Sequence, residues 1–253
     1  MITDAVIRLF RHLDEGGLAI ASSRRLARQV EQRYADWKVD AGAAAWATPR
    51  IRVYEDWLAQ IWFERFEHGA GAPRLLSDDQ ELLLWQQVIR RHASKDTPSA
   101  VLQLSATARS VRRSWARVHD WRLDWQGIRQ YRGADSDAFT DWAGHYERML
   151  AGRNWLSSSQ LPQYLVQHAA QWLPDLGCPA VWMGFDVIPP ALEALCALLS
   201  DHGFEQRRFD GAGITGADSS VVACQDARDQ WRRIARWARS TLESEPGTIL
   251  GVV

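Results

Sequence analysis

The stretch that most limits the fold is Leu18-Ala-Ile-Ala-Ser-Ser-Arg-Arg-Leu-Ala-Arg-Gln-Val-Glu-Gln-Arg-Tyr-Ala-Asp-Trp37. Leu18 to Ala21 is an apolar run short enough to be one buried strand. It runs straight into Leu26, Val30, Tyr34 and Trp37, which recur at helical spacing and make one apolar stripe. Ser22 or Ser23 stands at the N-cap, where a serine oxygen accepts an otherwise unbonded amide of the first turn. Arg24 and Arg28 share a helix face, with Arg25 one step round. A helix start presents free amides, so this turn suits an anion. An ordinary amphipathic helix with solvated arginines explains the same residues.

The rest of the chain alternates in the same way. Residues 2–14 read as a short helix with Val6, Leu9, Phe10 and Leu13 on one face, ended by Gly16-Gly17. Pro49 to Tyr54 alternates as a second strand, and Glu55 to Phe66 follows as a helix. Ser77-Asp-Asp-Gln80 is a capping box that opens a helix through Leu82, Trp85 and Ile89 to His92. From residue 99 to residue 173 every strong signal is helical. Leu104, Ala108, Val111, Trp115 and Val118 form one stripe there. Arg109, Arg113 and Arg117 lie on another face with Arg112 beside them, the most concentrated basic face expected in the chain. Such a face suits a phosphate backbone and equally suits water. Ala138 to Leu150 and Gln160 to Trp172 complete the helical block.

After Pro174 the pattern changes. Ala180 to Gly184 reads as a buried parallel strand, and Leu192 to Leu199 as a helix. Glu205 to Phe209, Ser219 to Cys224 and Thr248 to Val253 read as further strands. Asp226 starts a helix with Trp231, Ile234, Ala238 and Leu242 on one stripe. Strands alternating with helices predict an α/β fold with a parallel-sheet core and a mostly helical inserted subdomain. The expected division is a core of residues 1–95 and 178–215, an insert over 96–177, and the start of a second α/β lobe over 216–253. The last strand stops at the chain end, so the sequence reads as an N-terminal fragment of a longer protein.

Composition narrows the class. No apolar run approaches the roughly 20 residues of a membrane span, and the N-terminus lacks the pattern of a signal peptide. Cys178, Cys196 and Cys224 fit neither a disulfide framework nor a zinc site, so buried free thiols in a cytoplasmic protein are expected. All but two of the 30 basic residues are arginine, and the chain holds 14 tryptophans. That pairing suits phosphate clamping and base stacking; a genome-wide preference for arginine codons produces the same bias. The net charge of −1 limits any nucleic-acid contact to a local patch.

Motifs for chemistry are few. Neither Lys38 nor Lys95 follows glycine or precedes serine or threonine, so no phosphate-binding loop exists. There is no Gly-x-Ser-x-Gly elbow. Histidines 12, 68, 92, 119, 145, 168 and 202 fall in no metal-ligand spacing. Asp135 and Asp137 read as a solvated pair in a loop. Asp186 follows a strand, where α/β enzymes often keep a metal-binding acid, but it has no second acid beside it and equally serves a turn.

Several segments, in order, resemble AddB-like bacterial DNA repair proteins of the RecB/AddB helicase–nuclease type. Ala19 to Arg28 resembles their "TPNRRLAR" signature, and Pro49 to Leu58 the segment that follows it. Leu75 to Trp85 resembles the next, and Trp182 to Leu192 is similar to their "GFD-x-x-x-P" segment. Cys224 to Val253 resembles the opening of the next helicase-like lobe. The resemblance implies a P-loop-helicase-like core of superfamily 1 that lacks the P-loop, and a role in DNA double-strand-break repair and recombination. The family's PD-(D/E)XK exonuclease domain lies at its far C-terminus, outside this chain. Gly184-Phe185-Asp186 stands where a helicase carries Asp-Glu, and with the phosphate loop gone the groups that hold Mg²⁺ and nucleotide phosphates are missing. The expectation is a non-catalytic scaffold with no cofactor and no membrane contact. It would bind single-stranded DNA weakly through Arg24, Arg25 and Arg28, or through Arg109, Arg112, Arg113 and Arg117, or would pack against a helicase subunit. The alternatives are a nucleotide-dependent enzyme with a non-standard phosphate site at Ser22-Ser23, and a purely structural interaction module.

Overall fold

A computed structural model describes residues 3–67, 69, 71–92, 103–131, 133–173, 178–209, 221–248 and 250–251. The chain divides into two compact units, Met1–Ala212 and Gly213–Val253. The first unit is α/β and is built on a four-stranded sheet. Its strands are β1 (Leu18–Ala21), β2 (Arg50–Val53), β5 (Ala180–Met183) and β6 (Gln206–Phe209), in the order β2-β1-β5-β6. All three pairings are parallel, with Leu18 opposite both Arg50 and Ala180, and Ala180 opposite Gln206.

The two faces of this sheet take different helices. Ala19, Ala21, Ile51, Val53, Val181 and Met183 point to one face, which is covered by α1 (Asp4–Asp14) and α2 (Arg24–Asp40) through Leu9, Phe10, Leu13, Val30 and Tyr34. Leu18, Ile20 and Trp182 point to the other. There they meet α3 (Tyr54–Arg65), α8 (Leu161–Gln167) and α9 (Pro190–Asp201) through Trp57, Ile61, Leu165, Leu192 and Leu195. β1 and β5 are apolar at every position because both faces are covered. α1 stops where Gly16 takes φ +85°, a left-handed turn that glycine enters without a Cβ penalty.

A second apolar cluster is purely helical. It joins α4 (Asp78–His92), α5 (Leu104–Asp120) and α7 (Ala134–Gly152), with the short α6 (Trp125–Gln130) beside α7. Trp85 and Tyr146 stack at 3.9 Å, and Trp115 meets them edge-on at 5.7 and 5.4 Å. The capping box at the start of α4 is present in both directions, Gln80 N to Ser77 Oγ and Ser77 N to Gln80 Oε1.

One fully buried carboxylate ties the helical cluster to the chain segment that returns to the sheet. Glu81 accepts from the backbone N–H of Ser158 at 2.6 Å and from Arg112 Nε at 3.4 Å. Arg112 also pairs with Asp78. Trp115 Nε1 donates to the buried Ser157 Oγ at 3.2 Å, so the same turn is held twice.

Several expectations change. The block expected to be wholly helical contains a strand, β4 (Trp155–Leu156), paired in parallel with β3 (Arg74–Leu75). Gln160 to Trp172 is not one helix but α8 flanked by single turns at 158–160 and 169–171. Asp135 and Asp137 lie in the first turn of α7, not in a loop, where acids complement the helix dipole. In the second unit, α10 (Ala227–Ser244) forms with Asp226 as its N-cap. Residues 221–224, 248, 250 and 251 are not strand, so the described parts of the two last expected strands lack ladder partners; the remainder of each lies outside the described residues. Cys178 and Cys196 are half-buried free thiols, while Cys224 is exposed, against the expectation of burial.

Candidate nucleic-acid interface

The carboxyl ends of β1 and β5 are where a parallel sheet of this order usually holds a ligand. The chain leaves β1 toward α2 on one face and leaves β5 toward α9 on the other, which opens a crevice between the two turns. Here the two turns approach each other closely at Gly184. Gly184 has φ +72°, and a Cβ on it would lie 2.5 Å from Leu26 Cδ2 and 2.8 Å from Ser22 Oγ. Ser22 N donates to the carbonyl of Met183 at 3.0 Å, closing the turn onto β5. Ser23 is the N-cap of α2, and its Oγ accepts from Leu26 N at 3.3 Å. One of the amides an anion would use is therefore already bonded.

The arginines expected in this turn are exposed, and they are not equivalent. Arg24 reaches across to Asp56 in the first turn of α3 at 3.4 Å, a solvent-facing pair. Arg25 and Arg28 make no hydrogen bond or ion pair among the described residues. Beyond Asp56 the edge becomes acidic and partly buried. Burial raises the carboxyl pKa of Asp120 above the usual carboxylate range, with Glu55 adding to the shift. Burial raises Tyr54 as well, and Asp120 adds to it.

On α5 the four expected arginines separate. Arg109, Arg113 and Arg117 are exposed and without a partner among the described residues. Arg112 is not with them: it turns inward to Asp78 and the buried Glu81. Trp121 closes the helix and extends the four-residue spacing of the ridge, with 46% of its surface exposed. The ridge therefore ends in an aromatic face, which the sequence reading did not single out although the spacing 109, 113, 117, 121 was there to count. No hydrogen bond or ion pair among the described residues joins the α2 arginines to the α5 arginines.

α10 carries a second basic side, longer than that of α5. Arg228, Arg232, Arg236 and Arg239 follow one another down one side, while Arg233 pairs with Asp229 at 3.0 Å. Simple counting at helical spacing finds this ridge.

The tryptophans mostly serve packing. Trp57, Trp62, Trp85, Trp115, Trp142, Trp172 and Trp182 are buried, and Trp121, Trp231 and Trp237 are the large exposed ones. His119 meets Trp115 edge-on at 4.3 Å, and burial lowers its pKa to about 4. His92 and His145, distant in sequence, stack at 3.5 Å. His68 lies outside the described residues. Asp186 is exposed in the turn after β5. Among the described residues no group of three or more His, Cys, Asp or Glu side chains is arranged to hold a metal ion, and no helix is long and apolar enough to cross a membrane. Compared with known proteins, the chain matches no protein-family model and no curated protein.

Proposed function

We propose that this chain is a non-catalytic scaffold that binds single-stranded DNA, as the N-terminal region of an AddB-like helicase–nuclease in double-strand-break repair. The observation that carries this reading is the α5 ridge, three arginines at one spacing with no partner among the described residues, followed by the half-exposed Trp121. Guanidiniums track phosphates, and an exposed indole stacks a base of any sequence. The close approach of Leu26 and Ser22 to Gly184 supports the non-catalytic part, because it narrows the space a nucleotide phosphate would take at this turn. Arg25 and Arg28 form a second contact at the carboxyl edge, and Arg112 drops out of the set because it neutralises Glu81. A helicase subunit as partner, and the cytoplasm as location, come with the same reading.

Fluorescence anisotropy of a labelled single strand, titrated at increasing salt, tests it. Each phosphate contact contributes a slope of about −0.7 in log K against log salt. A slope of about −2 from the three ridge arginines, steepening to about −3.5 when Arg25 and Arg28 engage as well, is expected. Binding that ignores salt, or no binding at low salt, overturns the reading. Micromolar binding of Mg-ATP in a calorimetric titration would favour the nucleotide-dependent alternative instead.

A further inference from the structure

We propose a separate anion site at the opposite, amino edge of the sheet, in the cleft between β2 and the C-terminal half of α3, and that it takes a phosphate group. Strand alternation builds it. Ile51 and Val53 point into the core beside α1 and α2, so Arg50 and Arg52 must point to the other face. α3 runs back over that face and brings Gln60, Glu64 and Arg65 to the same cleft. The cleft has a volume of about 120 Å³, enough for a tetrahedral oxyanion.

Among the described residues, the strand arginines Arg50 and Arg52 outnumber the one carboxylate of the lining, Glu64, whose Oε1 accepts from Gln60 Nε2 at 2.7 Å. Neither strand arginine forms an ion pair among the described residues. Arg50 Nη1 donates to the thiol sulfur of Cys178 at 3.0 Å and to the carbonyl of Gly16 at 3.5 Å. Arg52 donates to Gln60 Oε1 at 3.3 Å and to its neighbour's carbonyl at 3.0 Å. A sulfur and neutral amide oxygens are weak partners for guanidiniums, which form their strongest bonds with oxyanions in fork geometry. Buried Trp57 and Trp172 wall the inner side, so the charges are less screened there than on an open surface. A carboxylate offers two oxygens; a phosphate offers enough to meet two forks at once. The phosphate belongs either to a free phosphate compound or to a nucleic-acid strand.

Isothermal titration of the full chain with inorganic pyrophosphate tests the site, in parallel with a 5′-phosphorylated oligonucleotide. Saturable pyrophosphate binding is expected, weakened about tenfold by Arg50→Gln and about tenfold by Arg52→Gln, and unchanged in the Arg25→Gln/Arg28→Gln variant. If the Arg50 and Arg52 variants also weaken the oligonucleotide, the source is a strand; if they leave it unchanged, the source is a free phosphate compound. Absence of pyrophosphate binding, or binding indifferent to both strand arginines, overturns the proposal. Neither result touches the α5 ridge, whose own test is the salt dependence of strand binding in its own variants.

Discussion

α5 and α10 follow one pattern and have different fates. They run 17 and 18 residues, with tryptophan in an apolar stripe and arginines down another side. α5 buries Ala108, Val111, Trp115 and Val118, whereas α10 has no buried residue. In a protein most of a helix's stability comes from whatever covers its apolar stripe. α5 is covered by α4 and α7 and is tied further by Arg112 to Glu81 and by Trp115 to Ser157. The amphipathic pattern thus tells which face is to be covered, and long-range partners tell whether it is.

Four changes sharpen this contrast. Trp115→Ala removes a fully buried indole at the centre of the helical cluster and should cost about 3–5 kcal/mol, read as a lower urea midpoint. Retention of the wild-type midpoint would mean that α5 is no better anchored than α10. Next comes pH. His119 sits in the last turn of α5 with its pKa depressed from 6.5 to about 4, so the folded state holds it neutral. Its contribution is whole above pH 6.5 and is lost as pH falls toward 4, on the order of 3 kcal/mol in all. His92, also depressed by burial, adds in the same direction, while Asp120, raised by burial, opposes it. Subtracting the urea curves of His119→Phe from those of the wild type across this range isolates the histidine; a pH-independent difference contradicts its burial. α10 contains no histidine, so it has no counterpart to this loss.

Glu81→Gln keeps one acceptor for Ser158 N but removes the charge that Arg112 answers, and about 2 kcal/mol should be lost by the same denaturation assay. Trp231→Ser on α10 should change stability by less than about 0.5 kcal/mol, because that indole is 64% exposed. A larger loss would show that the α10 stripe is covered.

Local signals in the sequence located most single elements. The apolar run 18–21, the Ser23 cap, the 77–80 box and the stripe through Val111 and Trp115 all depend on neighbours a few residues apart. What was not legible depends on distant partners. β3 and β4 are two residues each, too short for any period, and exist through bonds such as Arg74 N to Asn154 O at 2.8 Å. Arg112 has the spacing of a surface arginine, and only the fold brings Glu81 beneath it. The cleft at Arg50 and Arg52 was half visible, since alternation set both on one face of β2, but α3 supplies its other wall. Trp121 and the α10 ridge, by contrast, follow from helical spacing in the sequence alone.

The proposed scaffold meets a single DNA strand through phosphates on the exposed face of α5. Comparing salt slopes of strand binding for the wild type and for Arg109→Gln/Arg113→Gln/Arg117→Gln tests it most directly. The variant should bind more weakly at every salt concentration, with a slope shallower by about 2, from three lost contacts at about 0.7 each. Equal slopes in the two proteins, with both still folded, would contradict it.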